Sequence, residues 1–131
     1  MIVVPDTNVL VAALVAKGLC SEVITHAIRE RSLVSSIALL DALDEVLRAK
    51  FDVTPAVNAF LKLLRKEIRL VEPVVLPGPV CRDPDDDLVL GTAAAANAGL
   101  IVTGDTDLLV LVSYGTTAII TPRQYVERLM S

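Results

Sequence analysis

The chain has 131 residues, a net charge of −4 and a mean hydropathy of +0.62. Its length predicts one domain over residues 1–131, and its acidic balance excludes a protein that holds nucleic acid by bulk positive charge alone. No window of about twenty residues is apolar throughout, and the N-terminus lacks the basic segment of a signal peptide. The sequence therefore predicts a cytoplasmic protein without a membrane segment.

Strands and helices are predicted to alternate along the N-terminal half. An apolar run at the start is typical of a buried strand, and the apolar spacing after it favours a helix that ends before Gly18. Further on, leucine and valine residues form a clean 3.6-residue stripe, which predicts a longer helix. The predicted elements are a strand at 2–5, helices at 8–17 and 21–31, a strand at 33–36 and a helix at 37–51.

The C-terminal half continues the alternation. Thr54 and Pro55 are the cap and first-turn residues expected where a helix begins. Three prolines between residues 70 and 80 predict an extended segment rather than a helix. The remaining predicted elements are helices at 54–68 and 83–99, a strand at 100–105, a helix at 106–114, a strand at 117–121 and a helix at 122–130.

The predicted strands are short and apolar without alternation, as in a parallel sheet that helices cover on both faces. The predicted fold class is α/β, a three-layer α/β/α sandwich with a central, mostly parallel sheet of about five strands. In the first two helices, Val9, Leu10, Ile24 and Ile28 either belong to the core or form a surface for a partner. Core burial is the favoured interpretation.

Carboxylates follow two of the predicted strands at the point where each strand ends. Asp6 follows the first strand, and Asp105 follows the strand that begins at residue 100. Ligands of open parallel sheets bind at this edge. Both residues also have a simpler explanation, since aspartate is a common helix cap and turn residue.

A third acidic group, residues 83–87, opens a predicted helix. A cap at Asp83 and the helix dipole explain part of it, but not all of its mutually repelling charges. Asp86 shares a face with the apolar stripe of that helix and is the preferred inward carboxylate, with Asp87 as its rival. Carboxylates gathered at one crevice require a compensating cation, and oxygen ligands suit Mg²⁺ or Mn²⁺, whose bound water can hydrolyse phosphodiesters.

Four stretches of the chain resemble the PIN-domain family, a metal-dependent ribonuclease fold, and more narrowly the toxin-like PIN proteins of prokaryotic toxin–antitoxin pairs. The first and third of these stretches are the more specific. The stretches are VVPDTNVLVAAL, SSIALLDALDEVLRAKF, CRDPDDDLVLGTAAAANAGLIVTGDTDLL and TAIITPRQYVERL.

The resemblance implies a Mg²⁺- or Mn²⁺-dependent endoribonuclease that leaves 5′-phosphate and 3′-hydroxyl ends. It implies RNA as substrate and an antitoxin protein as a possible partner, and we also expect a homodimer. By the resemblance, the catalytic metal ligands are Asp6, Asp86 and Asp105. The supporting or substrate-binding residues are Asn8, Thr103 and Asp107.

One departure from the family pattern affects the predicted site. The family usually has a glutamate in the helix after the second strand, and Ala42 occupies that position here. Asp41 is rotated about 100° from it and is predicted to face solvent. Glu45, one turn further on, is the better-placed substitute. Either the site works with one acid fewer, or Glu45 compensates, or metal binding is weakened.

Other function classes match the sequence less well. A PIN fold that lost activity and binds a protein partner is the main alternative, and it predicts no metal-dependent cleavage. A receiver domain requires a lysine after a late strand, which TAIITPRQ lacks, and a haloacid-dehalogenase-type phosphatase requires a second aspartate where Asn8 stands. Cys20 and Cys81 are predicted to be reduced structural thiols, and His26 to be a surface or half-buried helix residue.

Five basic residues are candidates for contacts with an RNA backbone, although solvated surface is the simpler explanation for most of them. The sequence assigns this role to none of them. They are Arg29, Arg31, Lys50, Arg82 and Arg123.

Overall fold

The structure is a computed structural model that describes residues 1–16 and 18–131. The strands in this part of the chain are β1 (Val3–Pro5), β2 (Val34–Ser35), β3 (Arg69–Leu70), β4 (Leu100–Val102), β5 (Ser113–Tyr114) and β6 (Thr117–Ile120). The helices are α1 (Thr7–Val15), α2 (Leu19–Arg29), α3 (Ile37–Lys50), α4 (Pro55–Glu67), α5 (Pro84–Ala96), α6 (Thr106–Leu109) and α7 (Pro122–Met130).

The sheet is mostly parallel, as predicted. Strands β1, β4 and β6 lie side by side and run parallel, and β5 adds an antiparallel strand at the edge beyond β6. Strands β2 and β3 form a second parallel pair, which a bridge between Val3 and Leu33 connects to β1. The carboxyl ends of β1 and β4 are level, because Pro5 pairs with Val102.

Hydrophobic cores lie on both faces of the sheet, which confirms the predicted sandwich. Val3 belongs to one core and Val4 to the other, since successive strand residues point to opposite faces. Helices α1, α2, α4 and α7 contribute to the core that contains Val3, and α5 contributes to the core that contains Val4. Helix α3 adds Leu40 to the first core and Leu39 to the second.

Three of the four apolar residues singled out in the first two helices are buried. Val9, Leu10 and Ile24 are at most 2% exposed, which confirms the core interpretation for them and removes them from any partner surface. Ile28 is partly buried and packs against the same core. The helix break differs from the prediction, because α1 ends at Val15 and α2 begins at Leu19. The predicted helix end at Lys17 lies outside the described residues.

The predicted helix at 106–114 is wrong in its second half. Helix α6 ends at Leu109, and Ser113–Tyr114 instead form β5. Val112 takes a left-handed backbone conformation with φ of 63°, which a helix cannot continue through. Gly115, with φ of 60°, then supplies the tight turn from β5 to β6.

The predicted extended segment lies along helix α5, and we call residues 71–81 the strap. The strap follows β3, a strand that the sequence did not resolve. The N–H of Val74 donates to the carbonyl of Gly91 at 3.0 Å. A Cβ atom at position 91 would lie 2.4 Å from the carbonyl oxygen of Val74. Glycine therefore permits the strap to lie directly on α5.

Among the described residues, no single helix is long and apolar enough to cross a membrane. Helices α1 and α2 meet the length and hydropathy requirements only as a pair, and they are bent by 104°.

The strap contact predicts that Gly91→Ala destabilises the protein. Alanine normally stabilises a helix by about 1 kcal/mol relative to glycine, but here its methyl group would collide with backbone and incur an overpacking cost of about 1–3 kcal/mol. We expect the free energy of unfolding, measured by urea denaturation, to decrease by about 1–2 kcal/mol. Gly78→Ala is the control, because no atom lies within 4 Å of a Cβ there. A Gly91→Ala protein that is more stable than wild type would contradict this packing.

Candidate metal centre

Asp6 lies where β1 ends and α1 begins, and both of its carboxylate oxygens are engaged. Oδ1 accepts the N–H of Val9 at 2.9 Å and so caps α1. Oδ2 accepts the hydroxyl of Thr103. The residue is only 4% exposed. The two explanations of Asp6, as a helix cap and as a site residue, are therefore compatible. The same side chain caps α1 and borders a cleft at the carboxyl edge of the sheet.

Thr103 connects the ends of two neighbouring strands. It follows β4 and is fully buried. Its hydroxyl donates to Asp6 and accepts the backbone N–H of Asp105 at 2.9 Å. This single group fixes the carboxylate after β1 relative to the chain after β4.

Asp105 and Asp107 lie on the turn that opens α6. Asp105 Oδ1 accepts the N–H of Asp107 at 2.9 Å and caps this helix. Asp107 Oδ1 accepts Nη2 of Arg82 at 2.9 Å. Asp86, Asp105 and Asp107 each offer one carboxylate oxygen, and these oxygens lie within 4.8 Å of one another. We call these three residues the acidic cluster.

The geometry distinguishes Asp86 from Asp87. Asp86 lies in the first turn of α5, is 7% exposed, and its Oδ2 is buried without a hydrogen-bond partner. Asp87 instead accepts the N–H groups of Cys81 at 2.8 Å and Val80 at 3.2 Å. Asp87 therefore holds the strap, and the inward carboxylate of the third motif is that of Asp86.

The carboxylates of Asp6, Asp86 and Asp105 border a cleft of about 140 Å³ at the carboxyl edge of the sheet. Asn8 is exposed and lines this cleft, as does Ala42 from α3. Glu45 is exposed and does not line it, so the geometry gives no support to compensation by Glu45. The lining residues are Asp6, Thr7, Asn8, Ala42, Val46, Asp83, Asp85, Asp86, Val89 and Asp105.

Burial and mutual repulsion raise the pKa values of two cleft carboxyl groups. Burial, followed by the charge of Asp105, raises the pKa of Asp86 to about 7. Burial also raises the pKa of Asp6 above its ordinary value, while the hydrogen bonds from Thr103 and Val9 oppose that rise. Without a cation, burial and repulsion therefore move the titration of Asp86 from the acidic range to near neutral pH.

The donor set fits a hard divalent cation. Carboxylate oxygens are the ligands that Mg²⁺ and Mn²⁺ prefer. Asp86 Oδ2 is a buried acceptor without a donor in the described part of the chain, and such an atom is costly unless it is protonated or binds a cation. The carboxylate oxygens that lie close enough to share one ion are those of Asp86, Asp105 and Asp107, whereas both oxygens of Asp6 accept hydrogen bonds.

The thiols and the histidine do not take part in this site. Cys20 and Cys81 are free, and burial raises the thiol pKa of both, for Cys81 to about 11, which disfavours the nucleophilic thiolate. His26 is half-buried and lies 2.7 Å from the hydroxyl of Tyr125. His26 and Tyr125 line a separate cavity of about 420 Å³ beside Val3 and Ser32.

A protein-family model described as PIN domain matches residues 2–107. The chain belongs to the PIN domain family. A search of curated proteins found no match. The family match confirms the predicted family, and together with the sheet it confirms the predicted fold class.

The PIN fold is a nuclease-type fold, and PIN domains generally depend on divalent metal ions. The matched segment contains every residue that the sequence predicted for the site. The structure brings all of these residues to one sheet edge, with Thr103 behind the cleft as a support. The sequence does not predict the contact of Arg82 with Asp107. Its one signal is that Arg82 directly precedes the acidic group at 83–87 and so enters the same part of the site.

The raised pKa of Asp86 predicts that the metal-free PIN domain loses stability as the pH rises from about 4 to 7. In this window the folded state holds a proton that the unfolded chain, with an ordinary pKa of 3.8, has released, so the free energy of unfolding falls with pH. Asp86→Asn should remove this loss and exceed wild type by about 1–2 kcal/mol at pH 8, since solvent reduces the full effect.

Urea denaturation in the presence of a chelator measures this difference at several pH values. Asp85→Asn is the matched control, because Asp85 is the exposed neighbour on the same helix. Parallel pH profiles of wild type and Asp86→Asn would contradict the prediction.

Proposed function

We propose that this PIN domain is a Mg²⁺- or Mn²⁺-dependent endoribonuclease. The observation that carries the proposal is the buried, unpartnered carboxylate oxygen of Asp86, on a side chain that gathers with those of Asp105 and Asp107. The nuclease-type fold of the family supports it. The site lies at the carboxyl edge of a parallel sheet, where such folds bind ligands.

In this proposal Asp6, Asp86 and Asp105 hold the metal ion. A bound divalent ion supplies Lewis-acid chemistry, which activates water and stabilises the charge that develops on a phosphate. Thr103 keeps Asp6 and the backbone of Asp105 in place through its two hydrogen bonds. Asn8, exposed at the rim of the cleft, is placed to orient a ligand or a phosphate.

The proposed reaction is hydrolysis of an RNA phosphodiester. The oxygen of water forms a new bond to phosphorus, and the bond from phosphorus to the 3′ oxygen breaks. One proton of the water passes to the leaving 3′ oxygen overall, which gives a 5′-phosphate and a 3′-hydroxyl.

Asp107 supports the site from its rim, since its backbone is fixed by the Asp105 carboxylate.

We also propose that the chain acts as the toxin of a toxin–antitoxin pair and forms a homodimer. The motif resemblance supports the toxin role. Exposed apolar side chains on the strap, those of Val74, Val75 and Val80, offer surface for an antitoxin or a second copy. Growth arrest on expression of wild type, its relief by a small neighbouring reading frame, and sedimentation of the purified chain test these roles.

The alternative is a PIN fold with weakened or absent catalysis that serves as a protein-binding module. The specific observation in its favour is Ala42, which lines the cleft where the family pattern has a glutamate. The two proposals differ in their dependence on metal and on Asp6.

The nuclease proposal predicts that RNA cleavage requires Mg²⁺ or Mn²⁺ and fails in Asp6→Asn. Loss of one metal-holding carboxylate should lower the rate by roughly 100-fold or more, and the products should carry 5′-phosphates. The measurement is gel analysis of a labelled single-stranded RNA, with and without a chelator. Asp41→Asn is the control, because it removes the same charge from an exposed position on α3.

Equal cleavage by wild type and Asp6→Asn would indicate a contaminating nuclease and remove the catalytic proposal. Absence of cleavage by wild type, together with negligible Mn²⁺ affinity, would favour the binding module.

The position of Ala42 predicts that Ala42→Glu strengthens the site. A glutamate added to the three proposed metal-holding acids should increase Mn²⁺ affinity by roughly tenfold through one more charged oxygen ligand. Calorimetric titration with Mn²⁺ measures this change. Ala42→Gln is the control, since it has nearly the same size without the charge. Unchanged affinity in Ala42→Glu would mean that the cleft already has all the carboxylates it can use.

A further inference from the structure

Arg82 is the basic residue that contacts the acidic cluster. Its Nη2 atom donates to Asp107 Oδ1 at 2.9 Å, and that carboxylate lies within 4.8 Å of those of Asp86 and Asp105. The other ion pairs of the described residues lie elsewhere on the surface: at the end of α2, within α3, and between α3 and α4. Arg82 is therefore the positive charge that the described structure places against these acids.

The backbone on both sides of Arg82 is held, while its side chain is open to solvent. On one side Asp87 accepts the N–H groups of Val80 and Cys81. On the other side Asp83 caps α5 by accepting the N–H of Asp85 at 2.9 Å. The side chain of Arg82 is 88% exposed. The backbone of Arg82 is thus held beside the cleft. Its exposed guanidinium group can exchange Asp107 for another anionic partner.

We propose that Arg82 is a phosphate-binding residue that Asp107 holds beside the cleft until RNA arrives. This inference rests on the proposed function. A guanidinium binds phosphate with the same forked geometry with which it binds carboxylate. Among the described residues, those that line the cleft include carboxylates and no basic residue, so an approaching polyanion meets repulsion unless a cation at the rim offsets it.

The proposal requires opposite effects of Arg82 on the two ligands of the site. Arg82 brings positive charge near the acidic cluster, and this charge opposes the binding of a metal ion. It attracts the RNA phosphate and so favours the substrate. If the contact had only a structural role, its removal would not strengthen the binding of the metal ion while weakening the binding of RNA.

The experiment compares Arg82→Gln and Arg82→Lys with Arg29→Gln. The control removes the same charge from the end of α2, which leads to the opposite edge of the sheet. Mn²⁺ affinity is measured by paramagnetic resonance of the free ion. RNA affinity is measured by fluorescence anisotropy of a single-stranded RNA at one fixed Mn²⁺ concentration, with every variant made in the Asp6→Asn background to prevent hydrolysis.

We expect Arg82→Gln to bind Mn²⁺ roughly two- to fivefold more tightly, the size of one exposed ion pair. It should bind RNA roughly three- to tenfold more weakly, and the slope of log affinity against log salt should decrease by about 0.7, as for one lost phosphate contact on a single strand. Arg82→Lys should retain the salt slope and lose part of the affinity. Arg29→Gln should change neither binding constant.

The outcomes separate this inference from the proposed function. If wild type binds Mn²⁺ and the Asp6→Asn protein binds RNA, but Arg82→Gln leaves RNA affinity and salt slope unchanged, the role of Arg82 is wrong and the nuclease proposal stands. If wild type does not bind Mn²⁺, the proposed function fails and the inference fails with it.

Discussion

The hydroxyl of Thr103 holds together the two strand ends on which the cleft depends. It donates to the Asp6 carboxylate and accepts the N–H of Asp105, so it fixes two chain segments that are nearly one hundred residues apart in sequence. Carboxylates so close together repel one another, and the molecule must offset that repulsion. Burial raises the pKa of Asp86 to about 7 and so favours its neutral form. Arg82 offsets part of the charge of Asp107, and the N-termini of α1 and α6 stabilise the charges of Asp6 and Asp105.

The helix caps explain how one small domain gathers so many acids without losing its fold. Asp6, Asp83 and Asp105 each accept a backbone N–H at the start of a helix, where a negative charge is favourable. Each carboxylate therefore stabilises local structure as well as shaping the cleft. The strap adds a second constraint, because its contact with Gly91 and its bonds to Asp87 fix the chain just before Arg82.

Features set by local pattern were predictable from the sequence, and those set by contacts distant in the chain were not. Strand ends located Asp6 and Asp105, and the apolar stripe of α5 pointed to Asp86. In contrast, the sequence predicts helix where β5 forms, because a short apolar run fits both structures and only the left-handed conformation of Val112 decides between them. The pairing of Arg82 with Asp107 was also missed, since it depends on where the strap ends after crossing α5.

Ala42 and Arg82 change the charge balance of the cleft in the same direction. Ala42 is a small apolar residue where the pattern that the sequence resembles has an acid, and Arg82 brings a guanidinium to the rim, so both lower the negative charge of the site. A less negative site attracts a divalent cation less strongly, but it also repels a polyanion less. Within the proposed function, this chain would exchange metal affinity for easier approach of RNA. Its activity should therefore reach half of its maximum at a higher concentration of free metal ion than the activity of Ala42→Glu does.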